Sequence, residues 1–489
     1  MIKCSLIHGH VCSELLLATL VPLIKNKLGD AESSDNYRSI ALSSVVLKII
    51  DWIMLLLFGE KLGFDELQFS YQKSSSTAMC TWLVIESTDY FIRNGSSVYS
   101  CFMDMRKAFD TVKHSTLFQK LVDRTFSPIF MRMILVMYIA QTAKVRWGST
   151  FSESFSISNG VKQGAVLSAV LFCVYIDDLI KILRRKKTGC WVGTNFVGII
   201  VYADDIVLLS PSIDGLQEMI NTCNEYAEKH NLSFSTNNDP NKSKTKCMAF
   251  FNTKREVPTR KMILNGKPLP WVKTVTHLGV KINDKLTRGQ DTLEKRAQYV
   301  SKCNELRQEF HFADPNTLTF LNNTYNSHFY GATLWDLFSS EAERITGTWN
   351  TTQRLVFGLP RKTHRYLVEP VSKETHIMKL LWKRFLKFCR NINCSKKPTL
   401  RNVFNQVRKE CRSVTGRNLR SIMLKTNHDV YSYFDLEFDW KGRYYTMPDE
   451  ESWRTQVIEE LLETKKGKRA IKQFDDKDLD AMLEYACCT

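Results

Sequence analysis

The stretch FVGIIVYADDIVLLS, residues 196–210, sets Asp204 and Asp205 side by side in an otherwise apolar run, with no lysine or arginine among them. FVGIIVY and IVLLS read as two strands separated only by Ala203-Asp204-Asp205, the spacing of a hairpin with the acidic pair at its tip. A buried, unpaired carboxylate is costly, and a like charge beside it adds to the cost. The pair therefore either lies exposed at a turn or is compensated by a cation.

A third carboxylate bears on that choice. Residues 97–104, SVYSCFMD, read as a buried strand ending at Asp104, and Met105, Arg106, Lys107, Ala108 and Phe109 as the first turn of a following helix. If this strand lies beside the hairpin, Asp104 and Asp204 face each other across two strand ends, with Asp205 next to them. Such a cluster of oxygen donors suits two Mg²⁺ ions, which take carboxylates together with substrate phosphates. The expected metal set is Asp104, Met105, Asp204 and Asp205. Two such ions activate an attacking 3′-hydroxyl and stabilise a leaving pyrophosphate.

Around this core the pattern alternates strands and helices. Residues 10–28 read as a short helix and an extended segment at Val21-Pro22, and SSVVLKIIDWIMLLLFGEKL as a helix ended by Gly59 or Gly63. Ser115 to Arg124 reads as a helix with Ser115 as its N-cap. A long apolar helix is expected from about 164 to 186 and an amphipathic one over Gly215–His230. CMAFF and HLGVKI read as short strands, and the chain beyond about 285 as mostly helical. The expected class is α+β, a sheet covered by helices on one side.

At 489 residues the chain exceeds one ordinary core. Its 44% hydrophobic content, with 28 Phe, 17 Tyr and 10 Trp, excludes a disordered chain. Lys plus Arg number 68 against 51 Asp plus Glu, and the net charge of +17 points to a polyanionic partner. From Lys396 to Lys425 nine residues are cationic and only Glu410 is anionic, which favours a phosphate-facing surface over a solvated helix face. The 14 cysteines form no CxxC pair and no zinc spacing, as in a reduced intracellular protein. The most apolar stretch, Ser43 to Phe58, carries Lys48 and Asp51 and is too short to span a membrane. Lys3, Glu14 and two histidines in the first twenty residues argue against a signal peptide.

Seven stretches in order resemble motifs of the reverse transcriptases of LINE-type (non-LTR) retrotransposons, from about residue 19 to 285. LVPLIKNKLGDAESSDNYRSIALSS resembles their opening fingers motif, with Arg38 following Asn-Tyr. QFSYQKSSSTAMC resembles their second fingers motif, but Ser70, Tyr71 and Gln72 stand where Gly, Phe and Arg are usual; Lys73 is adjacent. FMDMRKAFDTV is similar to the first palm motif, which gives Asp104 the metal position and makes Phe109 the aromatic gate against the ribose 2′-hydroxyl. SNGVKQGAVLSAVLF resembles GVxQGxxLSPxLF, with Ala169 for proline; Gln163 and Gly164 would lie beneath the nascent base pair. YADD, Tyr202 to Asp205, is the metal-binding signature, and PNKSKTKCMAF offers Lys244 to neutralise or protonate the leaving pyrophosphate. HLGVKI resembles the hairpin that grips the primer.

The resemblance implies a right-hand polymerase fold: fingers and N-terminal segment over 1–96, palm with an interleaved fingers segment over 97–284, helical thumb over 285–370, and a basic helical C-terminal extension over 371–489. It implies RNA-directed DNA polymerase activity with two Mg²⁺ ions, an RNA template, a DNA primer or target, and dNTPs. No membrane is expected. An endonuclease would be supplied elsewhere, since the first motif begins near residue 20. The expected location is intracellular, in the nucleus when acting on genomic DNA; Arg184–Lys187 and Lys465–Arg469 are weak targeting candidates. The competing reading is a catalytically inactive nucleic-acid-binding remnant, favoured by Ser70-Tyr71-Gln72. An RNA-dependent RNA polymerase is disfavoured by Ala203 and Phe109. Template preference, primer source, oligomeric state and host are not written in the motifs.

Overall fold

The structure, a computed structural model, describes residues 5–426 apart from 6, 28, 238, 240, 241, 253–257, 327, 328, 366, 369–375 and 411. Lys465–Arg469 and the rest of the C-terminal extension beyond Thr426 lie outside the described residues. The chain divides into two compact units, Met1–Lys273 with Lys397–Thr399, and Thr274–Lys396 with Leu400–Thr489.

The first unit holds two main sheets. One comprises β1 (Leu17–Ile24), β2 (Tyr37–Leu42), β4 (Thr142–Trp147), β5 (Thr150–Phe151) and β6 (Phe155–Ser156). Its path is β2-β1-β4-β5 with β6 also on β4, and the β1–β4 pair is parallel. Sequence periodicity flagged only the Val21-Pro22 part of this sheet, because β4 to β6 are short and largely exposed.

The other sheet carries the acidic residues. It comprises β3 (Val98–Asp104), β9 (Ile199–Tyr202), β10 (Asp205–Ser210) and β11 (Lys246–Phe250), in the order β11-β3-β10-β9, all antiparallel. The β-branched and aromatic residues of β9 and β10 suit a sheet covered by helices, and Ile199 to Val201 and Ile206 to Leu209 are fully enclosed. The helices Thr77–Arg93 and Ile213–Lys229 pack on this sheet. Small hairpins β7–β8 (Trp191–Val192, Asn195–Phe196) and β12–β13 (Met262–Leu264, Lys267–Leu269) complete the unit.

The long apolar helix spans Val166–Lys186 and is buried continuously from Leu167 to Asp177. Such all-round burial belongs to a central helix rather than a surface one. Its last turn carries Arg184, Arg185 and Lys186, the sign favoured at a helix C-terminus. The preceding segments follow the expected order: a short helix Ser13–Leu16 leading into β1, then the helix Val45–Phe58 with Gly59 as C-cap.

Three local expectations need correction. Asp205 is the first residue of β10, so the hairpin loop is only Ala203-Asp204. Met105 forms a bridge with Phe234 and residues 106–110 form turns rather than a helical turn, with Lys107 at φ 48° and Asp110 N–H donating to the Lys107 carbonyl at 2.9 Å. The next helix begins only at His114 and runs to Asp123; Lys113 sits at its N-cap with no side-chain cap, so Ser115 does not cap it. The chain between Asp104 and that helix is needed to line a cleft, which tertiary structure decides and local propensity does not.

In the second unit β14 (Thr274–His277) and β15 (Val280–Asn283) form a hairpin around the HLGVKI stretch. Helices follow, at Gly289–Glu309, Pro315–Tyr325, Ser340–Val356, Ile377–Asn393 and Val414–Thr426. Its core includes the fully buried Trp335 and Trp349, and Trp335 Nε1 donates to Asp291 Oδ2 at 2.7 Å. No helix of the described residues is long and apolar enough to cross a membrane.

Candidate active site

The β3–β10 ladder sets Asp205 directly opposite Asp104, followed inward by Ile206 with Met103 and Val207 with Phe102. Opposed residues in an antiparallel pair project to the same face, so these two carboxylates belong to one side of the sheet. The sequence paired Asp104 with Asp204; the register gives the cross-strand place to Asp205, and Asp204 sits in the two-residue loop beside it. Ala203 opens that loop at φ 54°, a left-handed position that glycine usually fills.

The loop is held from below by a segment that the sequence marked only as a departure. Ala203 N–H lies within hydrogen-bond reach of Gln68 Oε1 at 3.1 Å and Ser70 Oγ at 3.0 Å. Gln68 Oε1 also accepts from Ser70 N–H at 3.1 Å and Ser70 Oγ at 2.8 Å. Phe69 N–H donates to Val201 O and Val201 N–H to Leu67 O, which lays residues 67–69 along β9. Gln68 and Ser70 are both fully buried. Ser70 thus supplies a polar contact beneath the aspartate loop that glycine cannot make.

The electrostatics are those of incompletely compensated charges. Burial pushes the Asp205 carboxyl up to about 6, with Asp204 and Asp104 adding to the rise. Burial also raises Asp204, with Asp104 in the same direction and Arg38 and Lys244 opposing. For Asp104 burial again outweighs Lys244 and Lys25. Lys244 Nζ stands 3.9 Å from Asp104 Oδ2, so the cluster does have a lysine neighbour, drawn from a distant strand edge. That ammonium is 70% exposed, and its contribution is screened accordingly.

Asp104 and Asp204 open onto a cleft of about 1120 Å³. Lys25, Arg38, Arg106, Lys107, Lys242, Lys244 and Lys267 line it, against Asp104, Asp110 and Asp204. Phe109 and Gln163 are on its wall, and Phe109 stacks on Phe172 at 4.8 Å between ring centroids. Gln163 Nε2 donates to Asp110 Oδ1 at 3.1 Å, and its carbonyl accepts from Ala41 N–H at 2.8 Å. Gly164 takes φ 109°, where a Cβ would stand 3.2 Å from the Ala41 carbonyl. Met105 is buried and forms a bridge with Phe234. Lys73 is exposed and is not among the residues lining the cleft. Lys25, Lys242 and Lys267 escaped the sequence reading because nothing local distinguishes a cleft lysine from a solvated one.

Carboxylate oxygens without thiolate or imidazole are a donor set for hard divalent cations, and their raised affinity for protons marks a negative charge awaiting compensation. Among the described residues no three His, Cys, Asp or Glu side chains form a ready-made metal cage. The donors fit Mg²⁺ in an open-sided manner, with coordination left for water and substrate oxygens.

A helix-covered antiparallel sheet with aspartates at its central hairpin, beside a cationic cleft, is the arrangement that the right-hand polymerase class calls for. The chain belongs to the reverse transcriptase (RNA-dependent DNA polymerase) family, whose signature matches residues 24–282, just over half of its length. It is 25% identical over 340 residues to the probable RNA-directed DNA polymerase of the X-element transposon of Drosophila melanogaster, covering 66% of this chain and 36% of that protein. It is 27% identical over 263 residues to the RNA-directed DNA polymerase of the mobile element jockey of Drosophila funebris, covering 52% and 27%. With the Pol polyprotein of the type-1 retrotransposable element R2 of Nasonia vitripennis it shares 28% over 212 residues, covering 43% and 20%. The chain thus spans well under half the length of these relatives. Among solved structures, apo telomerase of Candida tropicalis matches with a TM-score of 0.43 and 11% identity, covering 87% of this chain and 70% of that one. The resemblance to LINE-type elements drawn from the motifs stands, as does the α+β polymerase class.

Proposed function

We propose that this chain is an RNA-directed DNA polymerase that extends a primer 3′-hydroxyl with deoxynucleoside triphosphates on an RNA template. One observation carries the reading: Asp104 and Asp205 oppose each other in register, and Asp104 and the loop residue Asp204 line a cleft together with seven cationic side chains. A carboxylate cluster beneath a cationic cleft matches a reaction in which polyanionic substrates meet at a negatively charged centre.

Asp104, Asp204 and Asp205, with the backbone carbonyl of Met105, would hold two Mg²⁺ ions, which when bound would supply charge neutralisation and hydroxyl activation for an in-line displacement. Arg38 attracts and orients the triphosphate. Lys244 neutralises or protonates the leaving pyrophosphate, and its place beside Asp104 supports that role. Phe109, backed by Phe172, bars a 2′-hydroxyl, while Gln163 and Gly164 form the floor under the nascent pair. Lys73 retains a role only toward substrate segments outside the cleft. The division into fingers (1–96), palm (97–284), thumb (285–370) and basic extension (371–489) belongs to the same proposal, as do dNTP use and a nuclear site of action.

The test is primer extension by the purified chain on a primed RNA template with Mg²⁺ and deoxynucleotides. Extension that vanishes in Asp204→Asn/Asp205→Asn supports the reading. A native chain that binds the duplex without extending it would instead make this a nucleic-acid-binding remnant.

A further inference from the structure

Gln72 stands where the family's second fingers motif usually has a cation, and a cation from elsewhere meets it. Lys397, in the three-residue stretch Lys397–Thr399 of the first unit, donates to Gln72 Oε1 at 2.7 Å. The same ammonium donates to the carbonyls of Glu66 and Gln68, each at 2.8 Å, and lies 4.7 Å from the centre of the Phe69 ring. Lys397 is only 6% exposed, and burial pushes its ammonium down to about 8 against the pull of Glu66 and Asp65. Two residues on, Thr399 donates its N–H and its hydroxyl to the two oxygens of Glu66, at 2.8 and 2.7 Å.

The geometry explains why a buried ammonium is tolerated. Residues 67 and 69 bond to Val201 on β9, and in an extended segment the alternate carbonyls, those of 66 and 68, point to the opposite edge. Lys397 satisfies both of those edge carbonyls. Its hydrogen bonds reach the backbone of Gln68, whose own side chain receives the Ala203 N–H of the aspartate loop.

We propose that Lys397 is a positioning residue for the aspartate loop: by closing the outer edge of residues 66–68 and engaging Gln72, it fixes the Gln68–Ser70 cradle on which Ala203, and with it Asp204, rests. The proposal rests on the polymerase reading for its catalytic consequence, but its structural part is independent of it. Removing the ammonium leaves two buried carbonyls and one amide oxygen without this donor, a loss that loosens the segment.

The experiment compares wild type with Lys397→Met, Lys397→Arg, Thr399→Ala and, as a control, Lys379→Met, another buried lysine. Hydrogen exchange is followed in the metal-free protein over residues 199–206, and single-turnover extension is measured well below each melting temperature. Lys397→Met is expected to speed exchange of that peptide about ten-fold and to lower kcat by a similar factor at unchanged primer–template affinity. Lys397→Arg should restore both in part, Thr399→Ala should act in the same direction more weakly and serves if Lys397→Met does not fold, and Lys379→Met should change neither. Unchanged exchange at 199–206, or faster exchange with unaltered kcat in an active wild type, overturns the positioning role. A wild type that never extends, with exchange still sensitive to Lys397, overturns the polymerase reading and leaves the clamp standing.

Discussion

Asp205 opposes Asp104 across the β3–β10 ladder, so two carboxylates that repel each other are locked on one face by a ladder that continues through five further residue pairs. The apolar register below them, Ile206 with Met103 through Leu208 with Cys101, provides the burial that holds the charges together. The fold is therefore spending stability on the cluster.

Asp205→Asn should abolish extension and also raise the melting temperature of the metal-free protein at pH 7.5. The carboxyl is pushed up to about 6, so ionisation at neutral pH opposes folding, and neutralising it should recover roughly 1–3 kcal/mol. Calorimetry in EDTA checks this; a lower melting temperature for the variant would mean the carboxylate is already compensated within the protein.

Asp51 gives a pH dependence outside the cleft. It is 3% exposed, and burial pushes it up to about 6, although it accepts from the N–H groups of Val166 and Leu167 and feels Lys162. It thereby caps the helix Val166–Lys186, whose own N-cap residue Ala165 offers no side-chain bond. A raised carboxyl pKa gives a stability contribution that is full below the usual 3.8 and lost as pH rises through about 6. The stability difference between Asp51→Asn and wild type should shift by about 2–3 kcal/mol in favour of the variant from pH 4 to pH 7.5. Denaturant titrations at both pH values decide it, and parallel pH profiles would contradict it.

Ala203 carries a left-handed backbone at the tip of the hairpin, at φ 54°. Ala203→Gly should stabilise the protein by about 0.5–1 kcal/mol, while Ala203→Val, with its branched Cβ, should cost more than the alanine strain itself. Urea midpoints measure both. Equal stability of the glycine and valine variants would argue against this loop conformation.

Phe109 lines the cleft and is stacked on Phe172, which keeps the ring from swinging away. Phe109→Val should raise the ribonucleotide-to-deoxynucleotide ratio of kcat/KM at least ten-fold, the effect of roughly 1.4 kcal/mol. Competitive incorporation assays read the ratio; an unmoved ratio assigns the ring to packing alone.

Seven cationic side chains around the cleft should make RNA–DNA duplex binding steeply salt-dependent. If about five of them meet phosphates, log K should fall against log salt with a slope near −3.5 to −4.5. Anisotropy titrations at several salt concentrations give the slope, and a flat response would remove nucleic acid from the cleft.

How much of this was legible in the sequence follows from how local each feature is. The aspartate hairpin, the strand ending at Asp104 and the long helix near 164–186 are written in short-range patterns, and the structure bears them out. The register that pairs Asp104 with Asp205 rather than Asp204 depends on a ladder between distant segments, which no window contains. Ser70 looked like a lost glycine because the residue whose N–H it accepts, Ala203, is 133 positions away. Lys397 and Gln68 are separated by 329 positions, and a lysine in a basic stretch gives no hint of burial. Ser115 was misread as a cap because its residue type suits one, whereas the chain before it is shaped by the cleft it lines.

Strand β3 occupies an interior position, with β10 on one edge and β11 on the other. During synthesis it leaves the ribosome about one hundred residues before either neighbour exists, an interval of about 5–20 s at roughly 5–20 residues per second. Through that interval VYSCFM is an apolar strand with both edges unpaired, the form most prone to wrong partners. The strand that brings Asp104 to the centre of the sheet is thus also one that waits long for both of its neighbours, and yield on expression should respond to chaperone supply and slowed translation.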